Sequence, residues 1–322
     1  MKLMQVLYGI VTFIPGVNRL LALGSGGTGS TRYCYSVWLR HLVIAKNNKL
    51  NYNPKIIAEL GPGDSLGIGL AGLISGCEKY YAFDVVEHTN IEMNLKVFDE
   101  LVRLFKSKSD IPDEKEFPKV KPFLDDYSFP QDILNKKRLD VALDNSRLEK
   151  IRNSIKKFRH QDSLIQYKAP WFNSHNIEKH SVDMIYSQAV LEHVDNLQET
   201  YHSMYSWLKP SGFISNQIDF KCHGTAEEWN GHWTYSNFIW KIIRGNRPYS
   251  LNREPYSTHI RIMKDEGFKV ICEKKTTLKS SLKISQLAQR YQFLSSEDLT
   301  TSGCFVQAIK KSNIKFTRPT IV

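Results

Sequence analysis

IIAELGPGDSLGIGL, residues 56 to 70, is an apolar run of strand length that passes through a glycine-rich turn into a second apolar run. A strand feeding a helix through such a turn opens a nucleotide-binding α/β unit. Three glycine turns begin this way. The phosphate-gripping form needs GxxxxGK followed by Ser or Thr, and there is no lysine between Lys55 and Lys79. The dinucleotide form needs GxGxxG; Gly61 and Gly63 fit, but Leu66 stands in the third place and Gly67 arrives one residue late. What remains is an acid followed by G-x-G-x-x-x-G, here Glu59-Leu-Gly61-Pro-Gly63-Asp-Ser-Leu-Gly67.

Working outward, period-2 and short apolar runs predict strands at 56–59, 80–84, 164–167, 181–187, 213–219, 268–274 and 304–310. Helices are expected at 65–75, about 90–106 and 196–208, the last stopped by Lys209-Pro-Ser-Gly212. Strands alternating with helices imply a mostly parallel seven-stranded sheet with helices on both faces. Residues 108–160 lose strand character, gain prolines at 112, 118, 122 and 130, and carry a charged helical run at 146–158, which reads as a helical insertion. Residues 221–262 are aromatic and basic, and 285–293 looks amphipathic and helical.

Ahead of the sheet, Leu3, Val6, Leu7, Ile10 and Ile14 fall at helical spacing and predict a short amphipathic helix ending at Pro15. The run and the LALGSGG that follows faintly resemble a signal peptide, but Gln5 and Thr12 interrupt it and it is too short to span a bilayer. GSGGTGST at 24–31 reads as a flexible break, and 33–44 as an aromatic-rich helix. The organisation expected is a helical N-terminal segment, 1–50, and one α/β domain, 51–322, with an acceptor-binding segment at about 221–262.

The turn, with its neighbours, resembles motif I of the class I S-adenosylmethionine-dependent methyltransferases. Tyr80-Tyr-Ala-Phe-Asp84 resembles their second motif, a strand ending in an acid that can accept both ribose hydroxyls. Val182-Asp-Met-Ile-Tyr-Ser-Gln-Ala-Val-Leu-Glu-His193-Val is similar to their fourth strand and following LEHV segment. Leu208-Lys-Pro-Ser-Gly-Phe213 is similar to their LKPGG turn, with Ser211 where glycine is usual. The resemblance covers roughly 54–107 and 160–220, in the right order.

It implies a Rossmann-like class I methyltransferase fold and S-adenosyl-L-methionine as cofactor. This cofactor has no phosphates, so the turn need only pass close to its amino acid and ribose parts, which glycines allow. The residues implied in cofactor binding are Glu59 near the methionine ammonium, Gly61, Pro62, Gly63, Asp84 and Val85, Lys168 and Ala169 by the adenine, and Ser187 and Gln188.

Methyl transfer is an in-line displacement, so much of the work is alignment, and an oxygen acceptor also gains from a base. His193 is expected at a helix start, where the dipole disfavours the imidazolium. Asp219 and His223 follow the fifth strand and read either as an Asp–His pair or as groups that bind the acceptor's hydroxyls. Trp229, His232, Trp233, Arg247 and Arg253 have the make-up of a sugar-binding wall, aromatic faces with hydrogen-bonding forks, or else of a buried aromatic subdomain. The resemblance to methyltransferases associated with bacterial surface polysaccharides favours a sugar or glycoconjugate hydroxyl. Methylation of nucleic acid or another small molecule, and a cofactor-binding module without turnover, are the alternatives.

The net charge of +11 and pI of about 9.2 permit phosphate, nucleic-acid or anionic-membrane contact, with the positive charge concentrated at 136–138 and 147–159. No strong nucleic-acid signal accompanies it: the fourth strand ends in Ser-Gln-Ala rather than [DN]PPY. Five scattered cysteines without CxxC spacing argue against a disulfide framework or zinc site and for a reducing compartment. No metal site is expected. The location expected is the cytoplasm, with peripheral contact at the inner membrane face through the first helix left open.

Overall fold

The computed structural model describes residues 3–14, 27–171, 177–247 and 250–311. Pro15 and most of the LALGSGG stretch lie outside the described residues. Helices α1 (Leu3–Val11) and α2 (Thr31–Asn47) precede strand β1 (Ile56–Leu60). Then come α3 (Gly67–Ile74), β2 (Lys79–Phe83), α4 (Ile91–Lys106), α5 (Lys136–Ala142), α6 (Asn145–Lys156), β3 (Ile165–Lys168) and β4 (Val182–Gln188). After β4 follow α7 (Leu197–Trp207), β5 (Leu208–Asp219), α8 (Asn237–Arg244), α9 (Tyr256–Asp265), β6 (Phe268–Thr277), α10 (Ser296–Thr300) and β7 (Thr301–Lys310).

The seven strands form one sheet in the order β3-β2-β1-β4-β5-β7-β6. The pairs β3–β2, β2–β1, β1–β4 and β4–β5 are parallel, and β7 runs antiparallel to both β5 and β6. This is the Rossmann-like, mostly parallel sheet expected. The strand order reverses between β1 and β4, and the crevice beyond the carboxyl ends of strands at such a point is where open α/β sheets hold ligands.

Alternation along the strands divides two cores. On one face Ile57, Tyr80, Met184 and Tyr186 pack with Trp38 of α2 and Leu101 and Phe105 of α4. On the other, Ala58, Leu60, Phe83 and Ile185 meet Tyr201 and Trp207 of α7 and Ile260 of α9. Because both faces are covered, the central parallel strands are near-continuous apolar runs, and this is what made them legible.

The 108–160 region is part of the first core rather than an appendage: Ile111, Val120, Leu124, Phe129, Leu139 and Ile151 are buried in it. Fully buried Arg40 of α2 anchors the region by donating to the carbonyls of Pro112 (2.9 Å), Val120 (3.0 Å) and Pro122 (2.8 Å). A buried guanidinium is tolerable only when its donors are met this way. Two arginines of the basic runs also turn inward. Arg138 donates to Ser75 O (2.9 Å), and Arg147 to Leu73 O (2.9 Å) and Cys77 O, so both cap the carboxyl end of α3.

Two expectations are corrected here. The 285–293 stretch is two separate 3-10 turns, Ile284–Gln286 and Gln289–Tyr291, anchored by Leu287, Tyr291 and Leu294 against Trp233. The described end of the GSGGTGST stretch is tied down: Thr28 is buried and bonds the turn after β1, donating to Pro62 O (2.7 Å) and accepting from Ser65 N (2.8 Å). Gly27 N reaches Asp64 Oδ2 (2.9 Å). A local reading of small residues sees flexibility; the partners lie more than thirty residues away.

Candidate active site

The turn after β1 sits at the reversal point. Gly61 and Gly63 adopt φ of +66° and +72°, conformations that a side chain disfavours. Gly61 N continues the ladder to Phe83 O (2.8 Å), so the turn leaves the sheet only after one further bond to β2. A Cβ on Gly61 would collide with the side chain of Val190, lying 2.7 Å from its Cγ1. The turn therefore runs tight against the loop after β4. Gly67 has the packing role expected of a third glycine: a Cβ there would lie 2.5 Å from Cys34 Sγ of α2.

Asp84 closes the other side. Its Oδ2 accepts from Gly63 N (3.2 Å) and its Oδ1 from Val85 N (2.7 Å) and Val86 N (3.5 Å), which leaves Oδ2 with a lone pair for a further donor. Burial pushes its pKa up, opposed by His88 and by these backbone donors. Lys168 and Ala169 follow β3 alongside, where Asp84 N bonds Lys168 O (3.1 Å). Gly61, Pro62, Gly63, Asp84, Val85, Lys168 and Ala169 thus line one crevice edge at the carboxyl ends of β1, β2 and β3. Donors and acceptors there suit a ribose and its flanking groups.

Two residues assigned to the cofactor face elsewhere. Glu59 is 2 % exposed, and its carboxylate accepts from Tyr80 Oη and from Tyr186 Oη (3.0 Å). Strand parity puts it on the face of Ile57, toward α2 and α3, and burial raises its pKa to about 7 despite the two hydroxyls. A methionine ammonium does not meet this carboxyl. Ser187 is also fully buried, donating to Asn216 Oδ1 (2.9 Å) across the β4–β5 pair. Gln188, at the strand end, donates to Lys121 O (3.2 Å) and so brings the insertion to the crevice rim.

The loop after β4 contains Ala189 at φ +55° and the single 3-10 turn Leu191–His193. His193 ends this turn and is not at a helix start; α7 begins at Leu197, capped by Asn196. The proposed dipole effect on His193 therefore falls away. The loop is instead held by Asn252, whose Nδ2 donates to Leu191 O (2.7 Å) and Val194 O (2.8 Å). The ring of His193 meets that of His223, with centroids 5.2 Å apart. Asp219, at the end of β5, pairs with His223 Nε2 (3.3 Å) and Lys221 Nζ (2.7 Å). Although burial opposes it, the bonds from His223 and Lys221 hold the Asp219 carboxyl at a pKa of about 2. All three expected catalytic side chains are thus neighbours at the ends of adjacent parallel strands.

The sugar-binding wall is largely internal. Trp233 is fully buried and donates to Arg253 O (3.0 Å); His232 is buried, its pKa lowered to about 3 by that burial. Arg253 is 3 % exposed, bonds Tyr235 O (2.7 Å) and His232 O (3.2 Å), and lies over the Trp240 and Tyr291 rings. These residues build the subdomain rather than present a stacking face. Trp229, half-buried, donates to Lys279 O (2.9 Å), and Arg247 bonds backbone carbonyls of α8. Sequence reasoning missed Thr28, since a short polar residue amid glycines gives no signal, and it read Glu192 as structural or near the cofactor rather than as a partner of the two histidines.

A family model described as a methyltransferase domain matches residues 139–215. No curated protein matches the chain. Among solved structures, phosphoethanolamine N-methyltransferase 2 of Haemonchus contortus with S-adenosyl-L-methionine is similar at 13% identity and a TM-score of 0.41. The match covers 85% of this chain and 52% of that one, so the chain spans about half its length. An S-adenosylmethionine-dependent methyltransferase of Mesorhizobium loti is similar at 12% identity, TM-score 0.40, over 80% of this chain and 91% of that one.

Strand order and the glycine turn bonded to Asp84 give the chain the Rossmann-like fold of the class I methyltransferases, and a methyltransferase-domain model matches its residues 139–215. A methyltransferase domain implies S-adenosyl-L-methionine as its cofactor.

Proposed function

We propose that this chain transfers a methyl group to an oxygen of a sugar or glycoconjugate hydroxyl. The observation that carries the reading is the meeting of His193, His223 and Asp219 beside the Val190–Gly61 contact, which puts base and cofactor turn side by side. The cofactor, when bound, supplies a methyl carbon activated by a sulfonium. Gly61, Pro62, Gly63, Asp84, Val85, Lys168 and Ala169 hold it, with Gln188 at the rim. His193 or His223 takes the hydroxyl proton, and Asp219, ionised throughout the working range, keeps the His223 ring in place. Trp229 and Arg247 are what remains of the acceptor wall.

Burial, then the positive charges of Arg40 and Lys221, lower the Lys121 pKa. Such a gathering of positive charge favours an acceptor carrying negative charge. The arginines of the basic runs are turned to α3 (Arg138, Arg147) or paired with Asp99 (Arg152) and Glu87 (Arg159), which weighs against a nucleic-acid face. No helix among the described residues is long and apolar enough to cross a membrane. Peripheral contact is supported by α1 and the turn after it, where Met4, Leu7, Ile10, Phe13 and Ile14 are exposed next to Phe238.

Mass spectrometry of products from anionic glycans, neutral glycans and RNA, incubated with S-adenosyl-L-methionine, tests the acceptor class. A methylated sugar is expected; a methylated nucleotide overturns the proposal. Cosedimentation with anionic vesicles tests the α1 face, and loss of binding in Leu7→Asp is expected.

A further inference from the structure

Glu192 is 3 % exposed, and neither of its carboxylate oxygens has a hydrogen-bond partner among the described residues. A buried carboxyl left this way costs a few kcal/mol unless something compensates it. What faces it is a pair of imidazoles: ligand atoms of Glu192, His193 and His223 all lie within 4.8 Å of one another. Asp219 holds His223 through Nε2, leaving Nδ1 available. A carboxylate on the far nitrogen of a histidine is the arrangement that orients metal-binding imidazoles.

We propose that Glu192, His193 and His223 bind one divalent transition-metal ion at the mouth of the crevice. Two nitrogen donors and one carboxylate select zinc, iron(II), cobalt or nickel over magnesium or calcium. Around such an ion ligand atoms sit roughly 3.3 Å apart, so modest ring rotation of exposed His223 closes the set. Three protein ligands leave a position open, as in catalytic rather than structural sites.

The consequence for transfer rests on the methyltransferase reading, whereas the binding of the ion does not. In that position the ion takes the acceptor's hydroxyl oxygen and lowers its proton affinity. With the ion bound both imidazoles are ligands, so the ion stands in place of the histidine base: the proton passes to solvent, the oxygen lone pair forms the new O–C bond, and the S–C bond breaks with its electrons left on sulfur.

The test is titration of the chelator-treated full chain with Zn²⁺ by calorimetry and with Co²⁺ by its d–d absorption. S-adenosyl-L-methionine affinity is measured on the same samples. One ion per chain is expected, with Glu192→Gln and His223→Ala each weakening it about tenfold or more and far-UV circular dichroism unchanged. Because His223 is exposed, its variant folds even if Glu192→Gln does not. Absence of Zn²⁺ and Co²⁺ binding, or binding that both variants retain, overturns the proposal. Metal binding without S-adenosyl-L-methionine binding upholds this site and overturns the methyltransferase reading instead.

Discussion

Gly61 and Val190 touch where two parallel strands end: the space a Cβ on Gly61 would need is filled by the Val190 side chain. The cofactor turn and the loop carrying Glu192 and His193 are thereby one packed unit. Substituting Gly61→Ala adds both the collision and the strain of a left-handed residue, about 1–2 kcal/mol. We expect cofactor affinity to fall about tenfold or more, the equivalent of 1.4 kcal/mol. Gly61→Ala combined with Val190→Ala removes the collision and not the strain, so it recovers affinity in part. Calorimetry on the three proteins checks this.

Asp84 bonds Gly63 N and the two residues' backbones in its own turn, so it both shapes the crevice and faces it. Asp84→Asn keeps an acceptor and loses the charge; Asp84→Ala loses both. Affinity for S-adenosyl-L-methionine is expected to fall in that order, by about tenfold or more for alanine. Equal affinity in all three would contradict the ribose placement.

Glu59 gives a pH signature. Its pKa in the folded chain, about 7, lies above the ordinary carboxyl value of 4.5, so between these values the folded state holds the extra proton. The stabilisation is fully present below pH 4.5 and is lost as pH rises through 7, by about 3 kcal/mol. Buried His41, His232 and His259 act oppositely. Their values, lowered to about 4, 3 and 3 from 6.5, make stability fall as pH drops below 6.5. Glu59→Gln is therefore expected to raise the melting temperature more at pH 8.5 than at pH 5.5, as read by calorimetric scans.

Trp233 and Trp229 stand close together with centroids 6.2 Å apart, but only Trp229 reaches solvent. Trp233→Ala is expected to destabilise by about 3–5 kcal/mol. Trp229→Ala should cost under about 1 kcal/mol and raise KM for the acceptor. Chemical denaturation and steady-state kinetics separate the two.

For the proposed base, His223→Ala is expected to lower kcat about 100-fold or more, with S-adenosyl-L-methionine affinity unchanged. Asp219→Asn should lower kcat less, because it acts through His223. A His223→Ala enzyme with full turnover would remove that residue from the chemistry.

Much of the fold was legible because it rests on local chemistry. The buried central strands announce themselves as apolar runs, and Gly61 and Gly63 mark a turn that needs positive φ. The candidate site residues that strand ends carry, Asp84 and Asp219, lie where the sequence pattern put them. Legibility failed where side-chain direction mattered. Glu59 resembles a cofactor ligand in the motif, yet parity and the hydroxyls of Tyr80 and Tyr186 turn it into the core. Trp233 and Arg253 have the composition of a sugar wall, and only packing shows that their faces are covered.

The order of strands and helices and the glycine turn were determined by the sequence alone, since each follows from periodicity and from residues a few positions apart; the chemistry of the turn is what the resemblance of its motifs to a methyltransferase family implies. Tertiary structure decided which polar groups face the crevice and which are sealed. It also decided that Thr28 closes over the turn and that Glu192, His193 and His223 converge. Those outcomes depend on contacts between residues about thirty or more positions apart, formed only when helix and sheet layers close and bury one face of every strand.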